Sequence, residues 1–112
     1  MSQMTLQSAV SVSTGSISAL AFKAPIIPFA SSTRSFFALG TTTGTWAATV
    51  TIYQVFQHGS TYSKRLIATL SGLTDAAPSL GLDLQTPAQM FIAEVAFASN
   101  TDDDTISVVV EG

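Results

Sequence analysis

Apolar and polar residues alternate along most of this chain with a period of two, the spacing at which successive side chains leave opposite faces of a β-strand. In "TWAATVTIYQVF" the apolar positions are Trp46, Ala48, Val50, Ile52 and Phe56, with Thr49, Thr51 and Gln57 on the alternate positions. This predicts a half-buried strand, and the threonines, valine and isoleucine disfavour a helix over the same residues. "YSKRLIATL" repeats the pattern through Tyr62, Leu66, Ala68 and Leu70. Further strands are expected at "LQSAVSVS" (6–13), "ISALAFK" (17–23), "RSFFALG" (34–40), "SLGLDL" (79–84), "QMFIAEVAFA" (89–98) and "TISVVVEG" (105–112), separated mostly by turn-forming residues. About eight short, evenly spaced strands predict an all-β fold, an antiparallel β-sandwich of jelly-roll-like type, with at most one turn of helix near "LTDAAPS".

Register decides what the single histidine does. A two-residue turn at His58-Gly59 would set Thr51 opposite Leu66 and mix the two faces. A three-residue loop Gln57-His58-Gly59 instead pairs Phe56 with Ser60, Gln54 with Tyr62, Val50 with Leu66 and Trp46 with Leu70, which keeps apolar positions together. It also puts Gly59 where such a hairpin needs a left-handed residue. His58 is then expected at an exposed tip. In the same register Tyr53 leaves the threonine face with Val55 and near Ile67, which makes these three candidates for a contact outside the chain's own core.

Two other stretches carry more apolar surface than one sheet face can hide. Phe91, Ala93, Val95 and Phe97 form one face of their strand, yet Met90, Ile92 and Ala96 make the opposite face apolar as well, interrupted by Glu94. Such a strand is either central beneath a second layer or turned toward a neighbouring subunit. In "AFKAPIIPFA" Pro25 and Pro28 break any ladder while Ile26, Ile27 and Phe29 still need burial. An extended arm laid over a partner would satisfy both demands, as would an edge segment folded back on its own domain. One domain is expected over 1–112, with room in residues 1–33 for an assembly arm.

Charge sharpens the picture. Charged residues make up 10% of the 112 positions, against about 25% in ordinary soluble domains. Serine and threonine supply fifteen residues each, and 35–63 contain no formally charged residue with His58 neutral. So neutral a surface suggests that much of it meets other protein. The net charge of −3, with Lys23, Arg34, Lys64 and Arg65 as the whole basic complement, argues against nucleic acid, whose phosphates call for clustered cations. No apolar run approaches the ~18 residues of a membrane span, and no basic start precedes an apolar stretch, so neither an anchor nor a cleavable signal is expected. Without cysteine there is neither a disulfide nor a thiolate metal site.

Candidate chemistry is thin. Ser60 lies near His58, but a nucleophile and base at a hairpin tip have nothing to exclude water. Asp102, Asp103 and Asp104 could offer oxygen ligands to calcium, yet they lack the alternating ligands and glycine of a calcium loop and read as a solvated turn. Glu94 with one of these aspartates has no motif to support a glycosidase pair. Trp46, Tyr53 and Tyr62 could stack on sugars, although Trp46 and Tyr62 fall on the core face in this register. No catalytic residue, metal or cofactor is expected, and the chain is expected not to be an enzyme.

The segment "GTWAATVTIYQVF", a glycine hairpin, "RLIATLSGLT", the short leucine strand "LGLDL" and the terminal valine strand "ISVVVEG" together resemble the small β-sandwich structural proteins of tailed-bacteriophage virions. The likeness covers roughly 44–112 and is one of style and order without a diagnostic motif, so no functional residue carries over. It implies a non-enzymatic role in the virion, assembled in the host cytoplasm, as a capsid decoration or cement subunit. The implied partners are other virion proteins such as the major capsid protein, and further copies of the chain, a trimer being favoured. The alternative is a glycan- or receptor-binding β-sandwich module of a tail or surface protein.

Overall fold

The computed structural model describes residues 3–10, 21–23, 32–42, 44–88, 90–99 and 105–111. In chain order the strands are β1 (Gln3–Val10), β2 (Ala21–Lys23), β3 (Thr33–Gly40), β4 (Ala47–His58), β5 (Thr61–Thr74), β6 (Ser79–Gln85), β7 (Phe91–Ser99) and β8 (Ile106–Glu111). They form two sheets, ordered β1-β8-β3-β6 and β2-β7-β4-β5, and every pairing is antiparallel. The protein is therefore all-β, as the period-two pattern predicts. Among these strands β4 and β5 are the sequence neighbours that pair with each other; each remaining step along the chain crosses to the other sheet.

Alternation sorts the side chains as expected. On β3, Phe36 and Ala38 are fully buried while Phe37 and Leu39 are exposed, and β8 buries Ile106, Val108 and Val110. From the other sheet Val50 and Ile52 of β4, Phe91, Ala93, Val95 and Phe97 of β7, and Ala68, Leu70 and Leu73 of β5 meet them in one core. The rings interlock edge to face, Phe36 on Phe91 at 5.3 Å and Trp46 on Phe97 at 6.1 Å, the arrangement that the ring quadrupole favours. Each fully buried large side chain contributes about 1.5–3 kcal/mol by leaving water. Leu80, Leu82 and Leu84 pack against this core from β6, partly buried.

The β4–β5 hairpin corrects the expected register. His58 pairs with Thr61, Phe56 with Ser63, Gln54 with Arg65 and Tyr53 with Leu66, around a turn at Gly59-Ser60. Gly59 keeps its expected left-handed role, with φ +61°. The apolar faces still meet because β5 carries two extra residues. Ile52 pairs with Ala68 but Tyr53 with Leu66, which sets Ile67 apart, and Val50 pairs with Leu70 but Ala48 with Leu73, which spends one residue at Ser71-Gly72. Each β-bulge shifts the strand by one position and returns its apolar residues to the inner face. Gly72, at φ +89°, supplies the second of these kinks.

The "LTDAAPS" stretch makes no helical turn. Thr74 and Ala77 exchange backbone hydrogen bonds of 3.2 and 3.1 Å across Asp75-Ala76. The link from β6 to β7 is pinned from inside: Arg34, fully buried, donates from Nε to the Ala88 carbonyl at 3.1 Å, while the Thr86 N–H donates to the Ser32 carbonyl at 2.6 Å. The guanidinium loses hydration there, and burial pushes its pKa below the ordinary arginine value.

Candidate functional site

At the far end of the hairpin, His58, Gly59 and Ser60 are all exposed. Nothing in this turn excludes water from an imidazole–hydroxyl pair, so the arrangement gives neither group the setting a nucleophile requires. The side chain of Tyr62, placed with the core by the sequence reading, lies outside the described groups.

Tyr53 sits at the centre of a small polar cluster on the outward side of the β4-β7 pair. Its hydroxyl donates to Glu94 Oε1 at 2.8 Å, and Lys64 Nζ lies 4.3 Å from its ring centroid and 3.4 Å from Glu94 Oε2. The hydrogen bond to Glu94 raises the phenol pKa, and burial and the same negative charge add to the rise. Tyr53 is thus part-buried, with Lys64 over its ring and Glu94 on its hydroxyl. The outward exposure expected of Val55 is corrected: Val55 is 6% exposed, its N–H donates to the Met90 carbonyl at 3.0 Å, and it belongs to the chain's own interior. Ile67, displaced by the bulge, packs partly buried against the core. Ile92 has the same outward parity and is also buried, at 8%, so this side of β4 and β7 is covered within the chain near the hairpin base. Glu94 is committed to Tyr53 and Lys64, and Trp46, 1% exposed, offers no platform for a sugar.

Two exposed sets of residues lie elsewhere, and the sequence reading did not single them out. On the outer face of the β1-β8-β3-β6 sheet Phe37 is 39% and Leu39 55% exposed. Phe37 is flanked by Val109 on β8 and Gly81 on β6, and its ring edge lies 3.2 Å from where a Gly81 side chain would begin. One pleat along, Ser35 Oγ donates to the exposed Asp83 Oδ1 at 2.7 Å, opposite Glu111. The second set is on the hairpin beyond the last β4–β7 pair, Gln54 with Phe91. There Phe56 is 38% exposed, the Arg65 guanidinium lies 5.6 Å from its ring centroid, and Arg65 donates to Gln54 Oε1 at 2.8 Å. Leu66, 56% exposed, stands on the opposite side of the ribbon. The signal in the sequence was the doublet Phe36-Phe37: two adjacent strand residues cannot both face one core.

Ile26, Ile27 and Phe29, proposed for an arm, lie outside the described residues, as do Asp102, Asp103 and Asp104. Among the described residues no cluster of three metal-ligating side chains occurs, and no helix is long and apolar enough to cross a membrane. No family model matches the chain, and no curated protein matches it. Among solved structures it is similar to one called Family 16 Carbohydrate Binding Module-2, with 12% identity, 87% of this chain and 69% of that one covered, and a TM-score of 0.39. A superposition that loose assigns neither function nor site.

Proposed function

We propose that this chain is a non-enzymatic structural subunit that works by burying neutral surface against other protein, in the manner of a capsid decoration or cement subunit of a bacteriophage virion. The observation that carries the reading is the pairing of a weakly charged exterior with large exposed apolar side chains, Phe37, Leu39, Phe56 and Leu66, grouped on one sheet face and one hairpin. A specific interface buries about 1,600 Å² in total, and a subunit that touches several neighbours accumulates more. Each bound copy favours the assembled lattice by mass action. The partners in this reading are further copies of the chain and the major capsid protein, with a trimer favoured. The strand order supports a jelly roll, since β1-β8-β3-β6 over β2-β7-β4-β5 is what two interleaved Greek keys produce.

The test is native mass measurement of the purified protein, followed by co-sedimentation with undecorated phage shells. An oligomer that pellets with shells supports the proposal, and a lone copy with no affinity for any shell removes it. The second reading is a glycan-binding module. It draws on the exposed Phe37 ring beside the Ser35–Asp83 hydrogen bond, an apolar plate next to polar groups able to hold a sugar hydroxyl. Saccharide binding that is lost in Phe37→Ala, with oligomeric state unchanged, would favour it.

A further inference from the structure

The two exposed sets fit one another. On the hairpin an aromatic ring, Phe56, stands beside a cation, Arg65, 5.6 Å from the ring centroid. On the sheet face another ring, Phe37, lies over Gly81, and the carboxylate of Asp83 stands two residues further along β6, a step of roughly 6.6 Å. Each surface therefore sets an aromatic ring near a charge, and the two charges are opposite. Arg65 meets no carboxylate among the described residues, and Asp83 is held by the neutral Ser35 hydroxyl. The ion pair formed nearby, Lys64 with Glu94, lies on the other side of the ribbon and uses neither group.

We infer that the Phe56/Arg65 side of the β4–β5 hairpin docks on the Phe37/Asp83 face of a second copy, ring against ring and guanidinium against carboxylate. The inference rests on the assembly reading and gives it a partner and a geometry. The two surfaces are different patches carried by different sheets, so the contact is heterologous: every copy gives a hairpin and receives one. Such a contact closes into a ring when the rotation between copies permits and otherwise extends into a filament. The hairpin suits the part because its tip reaches past the last β4–β7 pair, Gln54 with Phe91. Leu39, on the receiving face, widens the apolar floor around Phe37. Arginine is the apt cation because its planar fork both stacks on a ring and pairs with a carboxylate.

The test uses the full chain in sedimentation velocity and native mass spectrometry, with circular dichroism and a urea midpoint for every variant. Wild type should be oligomeric. Phe56→Asp and Phe37→Asp should each weaken association about tenfold or more, and a mixture of the two should stop at a one-to-one dimer, because it holds one working hairpin and one working face. Arg65→Glu and Asp83→Lys should each weaken assembly, and the double variant should restore it. Where an aromatic variant fails to fold, the charge reversals at these exposed positions decide the question. An oligomer that none of the four variants moves, or a double variant that is not restored, overturns this contact while the assembly reading stands. A wild type that is monomeric up to about 100 μM overturns it too, and the assembly reading falls with it if that monomer also ignores phage shells. A monomer that binds saccharide through Phe37 gives the face to the glycan reading instead.

Discussion

A β-carbon on Gly40 would lie 2.5 Å from the ring of Trp46. The indole cannot swing aside, because Nε1 donates to the Thr41 carbonyl at 3.0 Å and the ring packs edge to face with Phe97 at 6.1 Å between centroids. The Gly40 backbone is equally fixed, with its N–H on the Pro78 carbonyl at 2.7 Å. Gly40→Ala is therefore expected to destabilise by about 1–3 kcal/mol, as overpacked cores do. Gly81→Ala meets the Phe37 ring at 3.2 Å, but that ring is solvent-exposed and can rotate away, so its loss should be under about 1 kcal/mol. Urea midpoints of the two variants check the order, and equal losses would contradict it.

The same contrast shows what the sequence made legible. Alternation placed β3 to within one residue and found β6, β7 and β8, because one buried face imposes the period directly. An unbroken period misplaces the β4–β5 register, because β5 carries extra residues at Ile67 and at Ser71-Gly72. No periodicity count sees a bulge, although Gly72 was the available hint. That unbroken register turns Tyr53, Val55 and Ile67 away from the core, whereas in the fold Tyr53 bonds Glu94, Val55 is buried and Ile67 packs against the core. Phe37 and Phe56 escaped notice because an aromatic residue reads as core until the neighbouring strand shows which side is covered.

Gly59 gives a cleaner backbone test. Its φ is +61° and, among the described residues beyond its chain neighbours, no atom lies within 4 Å of an added β-carbon, so a substitution there meets strain without collision. Gly59→Ala should cost about 1–2 kcal/mol, and Gly59→Asn noticeably less, because asparagine tolerates the left-handed region. Thermal melts at fixed protein concentration would show it. Equal melting points for glycine and alanine would refute the strained-turn account.

The Tyr53–Glu94 bond predicts a pH dependence. The folded-state phenol titrates above its unfolded value of about 10, so the unfolded chain loses this proton first as pH rises. The contribution is fully present below about pH 10 and is lost as pH climbs through the raised folded value. Tyr53→Phe removes it, costing about 1 kcal/mol or less at pH 8 for a bond so near solvent. Its disadvantage should shrink as pH rises above about 10, where wild type loses this contribution and the variant has none to lose. Urea midpoints of both proteins at pH 8 and above pH 10 provide the check.

Arg34 is the least expected member of the interior, fully buried with Nε on the Ala88 carbonyl. Two consequences of removing it separate by volume. Arg34→Met keeps most of the side-chain bulk but leaves the carbonyl without that donor, a loss of about 1–3 kcal/mol for a buried acceptor. Arg34→Ala adds a cavity between the sheets and should lose about 2–5 kcal/mol. The damage should also be local, because the guanidinium holds the link between β6 and β7 against β3. Hydrogen exchange should accelerate first at Thr86, whose N–H rests on the Ser32 carbonyl, and at Val55, whose N–H rests on Met90 of the same link. Were exchange instead to rise evenly over β8 and the distant Gly59 turn, the side chain would be acting on global stability alone, and its role as a pin for the link would be wrong.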